Sequence, residues 1–238
     1  PTGEETQPDK CRRAKSLKQM EELMAEKNER LEELGHGKLI TEEVIAGRLY
    51  TRPMYEKYNV ALRKASKAPF LVEKFERLCL GNTYTTTIHA INSCVIKLSK
   101  LTQAVKVWRG FKGATLPKQF FEPNETGVRG GIEYGFSSTT TDREQAVIYA
   151  SGSQSTLFEM QMGMIDRGAD LSWLSQYPHE QEVLFPPLTG LEALSTEVEG
   201  STLVVITRLS LNMASLTLEQ VLSRRRKMLQ DMAAGMKG

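Results

Sequence analysis

Two glutamates, Glu180 and Glu182, flank Gln181 directly ahead of Val183-Leu184-Phe185-Pro186-Pro187. On an extended chain residues two apart point to one face, so the two carboxylates would share it. Like charges held side by side destabilise a fold unless something uses them, and they shift each other's pKa values. A lone Glu-x-Glu is ordinarily a solvated face. Arg109 has the opposite chemistry. It ends the run Val105-Lys106-Val107-Trp108-Arg109-Gly110, where a planar guanidinium fork can grip phosphate. Gly110 lets a ligand approach the backbone. A third run, Phe136-Ser137-Ser138-Thr139-Thr140-Thr141-Asp142, is rich in hydroxyls. Thr141 or Asp142 suits the cap of a following helix, and Phe136 argues for a buried strand that places Ser137. Asn59 and Arg63, four apart, fall on one face of a helix. Taken singly, a strand-end arginine, a hydroxyl run and a polar helix face are ordinary surface features.

These groups need elements to hold them. Leu17, Met20, Met24, Leu31 and Leu34 recur at three- and four-residue steps, predicting a helix over Ala14 to Leu34. Lys27 interrupts that seam at an expected core position, so the helix reads either as a short coiled-coil arm or as a packed helix. Further helices are expected from Thr41, from Pro53 to Ala65, from Val72 to Leu80, and after Thr85-Thr86-Thr87, where Ile88, Ile91, Val95 and Leu98 share a face. After Leu101 the pattern changes to short strands: Val105–Gly110, Gly135–Thr139, Leu157–Met162, Glu182–Phe185 and Leu203–Leu209. One short helix, Arg143 to Ala150, interrupts them, and the tail from Ser215 to Met232 is helical again. Short strands with few crossover helices imply an α+β arrangement of antiparallel or mixed sheets rather than a doubly wound fold. The chain divides into a polar, disordered or linking segment at 1–13, a helical arm at 14–34, a helical part at 35–104, a β-rich core at 105–212 and a C-terminal helix at 213–238.

Composition sets outer bounds. The 238 residues can bury a sizeable core, and the net charge of +2 favours no nucleic acid or other charged partner. No window has the length and apolarity of a membrane span, and no signal-peptide pattern opens the chain. Cys11, Cys79 and Cys94 show no metal or redox spacing. This usage fits a reducing compartment without requiring one, which favours the cytoplasm slightly and does not exclude secretion. The basic run Arg224-Arg225-Arg226-Lys227 and the terminal helices offer surfaces for association.

In chain order, the motifs carry a resemblance. Trp108-Arg109-Gly110, then Phe136-Ser137-Ser138-Thr139, then Glu180-Gln181-Glu182 with its apolar run and prolines, resembles the Arg-Ser-Glu class of arginine-specific ADP-ribosyltransferases. Tyr50-Thr51, Tyr55, Asn59, Leu62 and Arg63 are similar to the helix that this family sets beside the NAD phosphates. In the hydroxyl strand, the second and third residues are exchanged in type relative to the family's Ser-Thr-Ser. The likeness covers about Leu49 to Leu209. It implies a split sandwich of two roughly perpendicular sheets around an NAD cleft, with helices packed N-terminally. It implies NAD as a substrate and no metal. Arg109 would hold the NAD phosphates or ribose, aided at the pyrophosphate by Thr51, Asn59 and Arg63. Gly110 would meet the nicotinamide amide, and Ser137 would orient Glu182. Glu182 would bind the ribose 2′-hydroxyl and stabilise the oxocarbenium-like transition state. Glu180 would anchor and deprotonate an acceptor guanidinium, with Tyr177 touching the target protein. In this family a Gln in place of Glu180 goes with other acceptors, so the Glu implies arginine. The same site with water as acceptor would make an NAD glycohydrolase, and without turnover an NAD-binding or interaction module.

Overall fold

The structure, a computed structural model, describes residues 14–51, 53–113, 116–152, 155–211 and 216–235. The expectation for residues 1–13, and the start of the tail helix at Ser215, lie outside the described residues.

Five helices come first: α1 (Leu17–Glu33), α2 (Thr41–Tyr50), α3 (Tyr55–Arg63), α4 (Pro69–Cys79) and α5 (Thr85–Leu98). Ser16 caps α1 through a capping box with Gln19, satisfying backbone N–H groups that the first turn leaves open. The seam of α1 packs rather than projects. Leu31 is fully buried, and Met20 and Met24 rest on the core made by Val44, Tyr50, Ile91, Val95 and Leu98. Lys27, the break in the seam, lays its ammonium 5.8 Å from the ring centroid of Trp173.

The β-rich part contains β1 (Lys106–Lys112), β2 (Gly130–Glu133), β3 (Ser137–Thr140), α6 (Arg143–Ala150), β4 (Ser155–Gln161), β5 (Ala169–Asp170), β6 (Glu182–Phe185), β7 (Thr189–Glu199) and β8 (Thr202–Ser210), followed by α7 (Leu218–Gly235). The strand order is β2-β7-β8-β4-β1-β3-β6-β5, and among these pairs only β4 and β8 run parallel. Five strands from β2 to β1 and three from β3 to β5 form two halves. They are joined by one registered pair, Trp108↔Thr140. The expected split is therefore present as a narrow joint inside one hydrogen-bonded ladder. The halves face each other: Val183 and Phe185 of β6 pack with Val107, Phe158, Met160 and Val205 of the five-stranded half. On the other face of β3 and β6, Phe136 and Leu184 belong to the helical core.

β2, β5 and β7 carry no strand signal in the sequence. β7 contains Gly190, leucines and three glutamates, residues that favour helix or turn over strand. Its partner decides the matter: β8 pairs it from Gly190↔Ser210 to Glu199↔Thr202, with an irregularity near Ala193 and Ser195.

A buried ion pair ties the helices together. Lys97 on α5 donates to Glu43 of α2 at 2.9 Å and to the Lys38 carbonyl at 2.7 Å, with the two side chains 3% and 0% exposed. The same ammonium reaches Glu219 on α7, and Leu218 N–H donates to Ser93 Oγ, which in turn bonds Glu43. Removing one partner of a buried pair leaves the other charge uncompensated, at a cost of about 3–5 kcal/mol. Lys97→Ala should therefore lower the urea midpoint sharply at an unchanged slope, and an unmoved midpoint would show that the pair contributes nothing.

Candidate active site

β1, β3 and β6 are neighbours, and their register aligns Trp108, Thr140 and Glu182 in one row. At that row opens a cavity of about 510 Å³, lined among others by Tyr50, Thr51, Tyr55, Arg109, Gly110, Ser138, Tyr149, Tyr177, Glu180 and Glu182. Residues separated by more than 120 positions thus meet in one cleft.

Glu182 is the most deeply buried charged residue of the cavity lining, 6% exposed. Burial pushes its carboxyl up to about 7; the Ser138 hydroxyl opposes this and the nearby Glu180 charge adds to it. Ser138 Oγ donates to Glu182 Oε1 at 2.6 Å. Sequence reasoning gave this task to Ser137. Strand alternation explains the difference: Ser138, Thr140, Glu182 and Leu184 share one face of the β3–β6 pair, and Ser137 lies on the other. Ser137 accepts instead from Arg109 Nη1. The two serines thus hold the two charged groups separately.

Arg109 is largely enclosed, and burial draws its pKa below the usual arginine value against the pull of Glu133. Its guanidinium stacks 4.7 Å over the Phe111 ring and lies 3.9 Å from Glu133 Oε2. Glu133, which sequence reasoning missed, is gripped by Arg63 in a bidentate fork, both bonds at 2.9 Å. Burial pushes the Glu133 carboxyl up, but Arg63 and Arg109 more than reverse this and hold it below the ordinary carboxylate value. Arg63 therefore does not line the cavity; it acts behind the wall. Asn59 does too. It is 4% exposed, accepts from Phe136 N–H at 2.9 Å, and donates to the Tyr50 hydroxyl at 3.1 Å. Its Oδ1 and one amide N–H are thus engaged with the scaffold, and neither Asn59 nor Arg63 is among the residues that line the cavity, where the pyrophosphate contact is expected. Nothing in the Gly-rich run before Tyr134 marks Glu133 as a site residue.

Gly110 lines the cavity, but the space left by its missing side chain is filled by a helix. A Cβ there would stand 2.0 Å from the Ala146 carbonyl of α6. The glycine is required so that α6 can press onto β1.

The opposite wall is a turn. Tyr177 precedes a 3₁₀ turn, Pro178–Glu180, and Gln181 follows in the left-handed region at φ 45°. Glu180 and Glu182 therefore do not share a face by strand alternation, as expected from spacing; the reversal at Gln181 brings both to the cavity. Arg48 Nη1 donates to the Leu174 carbonyl at 2.6 Å, and Thr51 Oγ1 accepts from Gln176 N–H at 3.2 Å, pinning this segment to the end of α2. Thr51 Oγ1 also donates to the Arg48 carbonyl, so its hydroxyl is occupied. Tyr149 of α6 donates its hydroxyl to Glu180 Oε1. His179 stacks edge-on to Tyr177, and its buried Nδ1 has no partner among the described residues. Among the described residues no cluster of three His, Cys, Asp or Glu side chains could hold a metal, and no helix is long and apolar enough to cross a membrane.

A buried carboxylate, an enclosed guanidinium and a second carboxylate on a turn suit a reaction that develops positive charge on a phosphate-bearing substrate. Comparisons with known proteins agree. The family model described as NAD:arginine ADP-ribosyltransferase matches residues 3–210. No curated sequence matches significantly. Among solved structures, the ADP-ribosyltransferase HopU1 of Pseudomonas syringae pv. tomato DC3000 superposes with a TM-score of 0.58 at 19% identity, over 83% of this chain and 89% of that one. The ADP-ribosyltransferase Vis of Vibrio splendidus, in complex with agmatine, gives 0.52 at 17% identity, over 86% and 90%. Exoenzyme S of Pseudomonas aeruginosa, bound to carba-NAD and in complex with human 14-3-3 protein beta, gives 0.54 at 18% identity, over 87% and 94%. At these identities the likeness is one of fold.

Proposed function

We propose, from the premise that the chain belongs to the NAD:arginine ADP-ribosyltransferase family, that this NAD-dependent ADP-ribosyltransferase modifies an arginine side chain of an acceptor protein. The observation that carries the arginine assignment is Glu180. It lines the same cavity as Glu182 and Arg109, and it sits on the turn that borders the opening beside Tyr177. A guanidinium stays protonated in water, so an acceptor of this kind needs a carboxylate both to anchor it and to take its proton.

Arg109, held by Ser137, would receive the phosphates of NAD. Glu182, held by Ser138, would bind the ribose hydroxyl and stabilise positive charge on the sugar as nicotinamide departs. A fixed carboxylate favours that charge more in the transition state than in the ground state. Arg63, Glu133 and Asn59 would serve as the support that fixes Arg109 and Tyr50. Agmatine, present with Vis, is a guanidine of the kind this site would accept.

Incubation with labelled NAD, with and without agmatine or an arginine-bearing protein, tests the assignment. Label should appear on the guanidino acceptor. Free ADP-ribose alone would make the chain a glycohydrolase, and NAD binding without turnover would leave it a binding module.

Glu182 works only when ionised, so NAD cleavage should rise with pH through about 7, where its carboxyl titrates. Ser138→Ala removes a donor that favours the charged form. The rising limb should then move to higher pH by about one unit. An unmoved limb would assign it to another group.

A further inference from the structure

We infer that Tyr149, on α6, is a positioning residue for the acceptor step: its phenol fixes the Glu180 carboxylate for an incoming guanidinium. This rests on the arginine assignment above. Glu180 ends a short turn beside an open cavity, and a glutamate with three free torsions would spend most of its time elsewhere. The Tyr149 hydroxyl donates to Glu180 Oε1, and among the described residues no donor is recorded for Oε2, which can receive a second one. Burial first, then the Glu180 carboxylate itself, push the phenol above its ordinary pKa, so it stays a donor at working pH.

The placement of Tyr149 is rigid for a reason visible in the strand. Gly110 has no Cβ, so α6 lies directly on β1, with Ala146 1% and Ala150 0% exposed. Asp142 caps the helix by accepting from Glu144 and Gln145 N–H. Tyr149 stands between those two alanine anchors and turns its half-exposed ring to the cavity wall, where Tyr177 also stands. The glycine beside the phosphate-gripping arginine thereby also sets the acceptor side. Two aromatic rings and a carboxylate together form a receptor of the kind that takes a planar cation, through stacking and a charged hydrogen bond.

Steady-state kinetics with agmatine as acceptor separate this from a structural role. Tyr149→Phe keeps the ring and loses only the hydrogen bond, so the ratio of agmatine transfer to NAD hydrolysis should fall roughly tenfold, as a higher KM for agmatine. In the Glu180→Gln background the same change should add little, because the carboxylate it positions is gone. An unchanged transfer-to-hydrolysis ratio, or an equal loss in both backgrounds, overturns the inference. If the unmodified protein hydrolyses NAD but never modifies agmatine, the arginine assignment fails first and this inference falls with it; if the unmodified protein does modify agmatine and the ratio does not move, only the inference falls.

Discussion

Glu182→Gln is expected to lower nicotinamide release by about 10²–10³, with transfer and hydrolysis falling together. The substitution keeps the size and an oxygen for the Ser138 hydroxyl, and removes only the charge. In the proposed mechanism that charge faces the sugar as the bond to nicotinamide breaks, so both acceptors would depend on it equally. Stability should move the other way. The folded carboxyl titrates at about 7 against an ordinary value of 4.5, so between those values the folded chain binds more protons than the unfolded one. Its favourable contribution is complete below about 4.5 and is lost as pH rises through about 7. At pH 8 the buried, ionised carboxylate therefore costs stability, and Glu182→Gln relieves it. A higher melting temperature at pH 8, with no such gain at pH 4, would accompany the lost activity. A variant that loses activity because it unfolds would melt lower at both.

Much of this arrangement is written locally, and some of it is not. α5 is legible because Ile88, Ile91, Val95 and Leu98 repeat at helical spacing, and Ile91, Val95 and Leu98 are buried. β6 is legible because four apolar or site residues precede two prolines. β7 is not, because its residues prefer helix and it is the ladders to β8 and β2 that make them a strand. The cavity-lining residues Arg109, Glu180, Glu182 and Tyr177 carry side-chain chemistry that the sequence displays. What the sequence does not display is division of labour within them. Ser137 and Ser138 are alike in type; only the strand's facing tells which serves Arg109 and which Glu182. Asn59 and Arg63 are polar residues on one helix face, and three-dimensional packing turns them inward to Phe136 and Glu133. Gly110 signals close approach of something, and the partner is a helix 36 residues away at Ala146. Glu133 and Tyr149 lie outside every motif and are defined only by what they touch.

Glu180→Gln should separate what Glu182→Gln joins. The Glu180 carboxylate is on the turn beside the opening, and Tyr149 holds it there. A glutamine retains the acceptor oxygen for that phenol but offers a guanidinium neither a countercharge nor a base. Arginine loses both anchor and proton acceptor, and transfer should fall by about 10²-fold or more, the range of a lost general base. Water needs no anchor, so hydrolysis of NAD should largely persist. It should also change its pH dependence in a defined direction. The Glu180 charge is one of the causes that raise the Glu182 pKa, after burial. Removing it lowers that pKa, and the rising limb of hydrolysis should shift to lower pH, so that near pH 6 the variant hydrolyses NAD faster than the unmodified protein does. A purely structural loss at the turn would slow hydrolysis at every pH instead. Equal loss of transfer and hydrolysis across the range would place Glu180 in the bond-breaking step and remove its role as receiver of the acceptor.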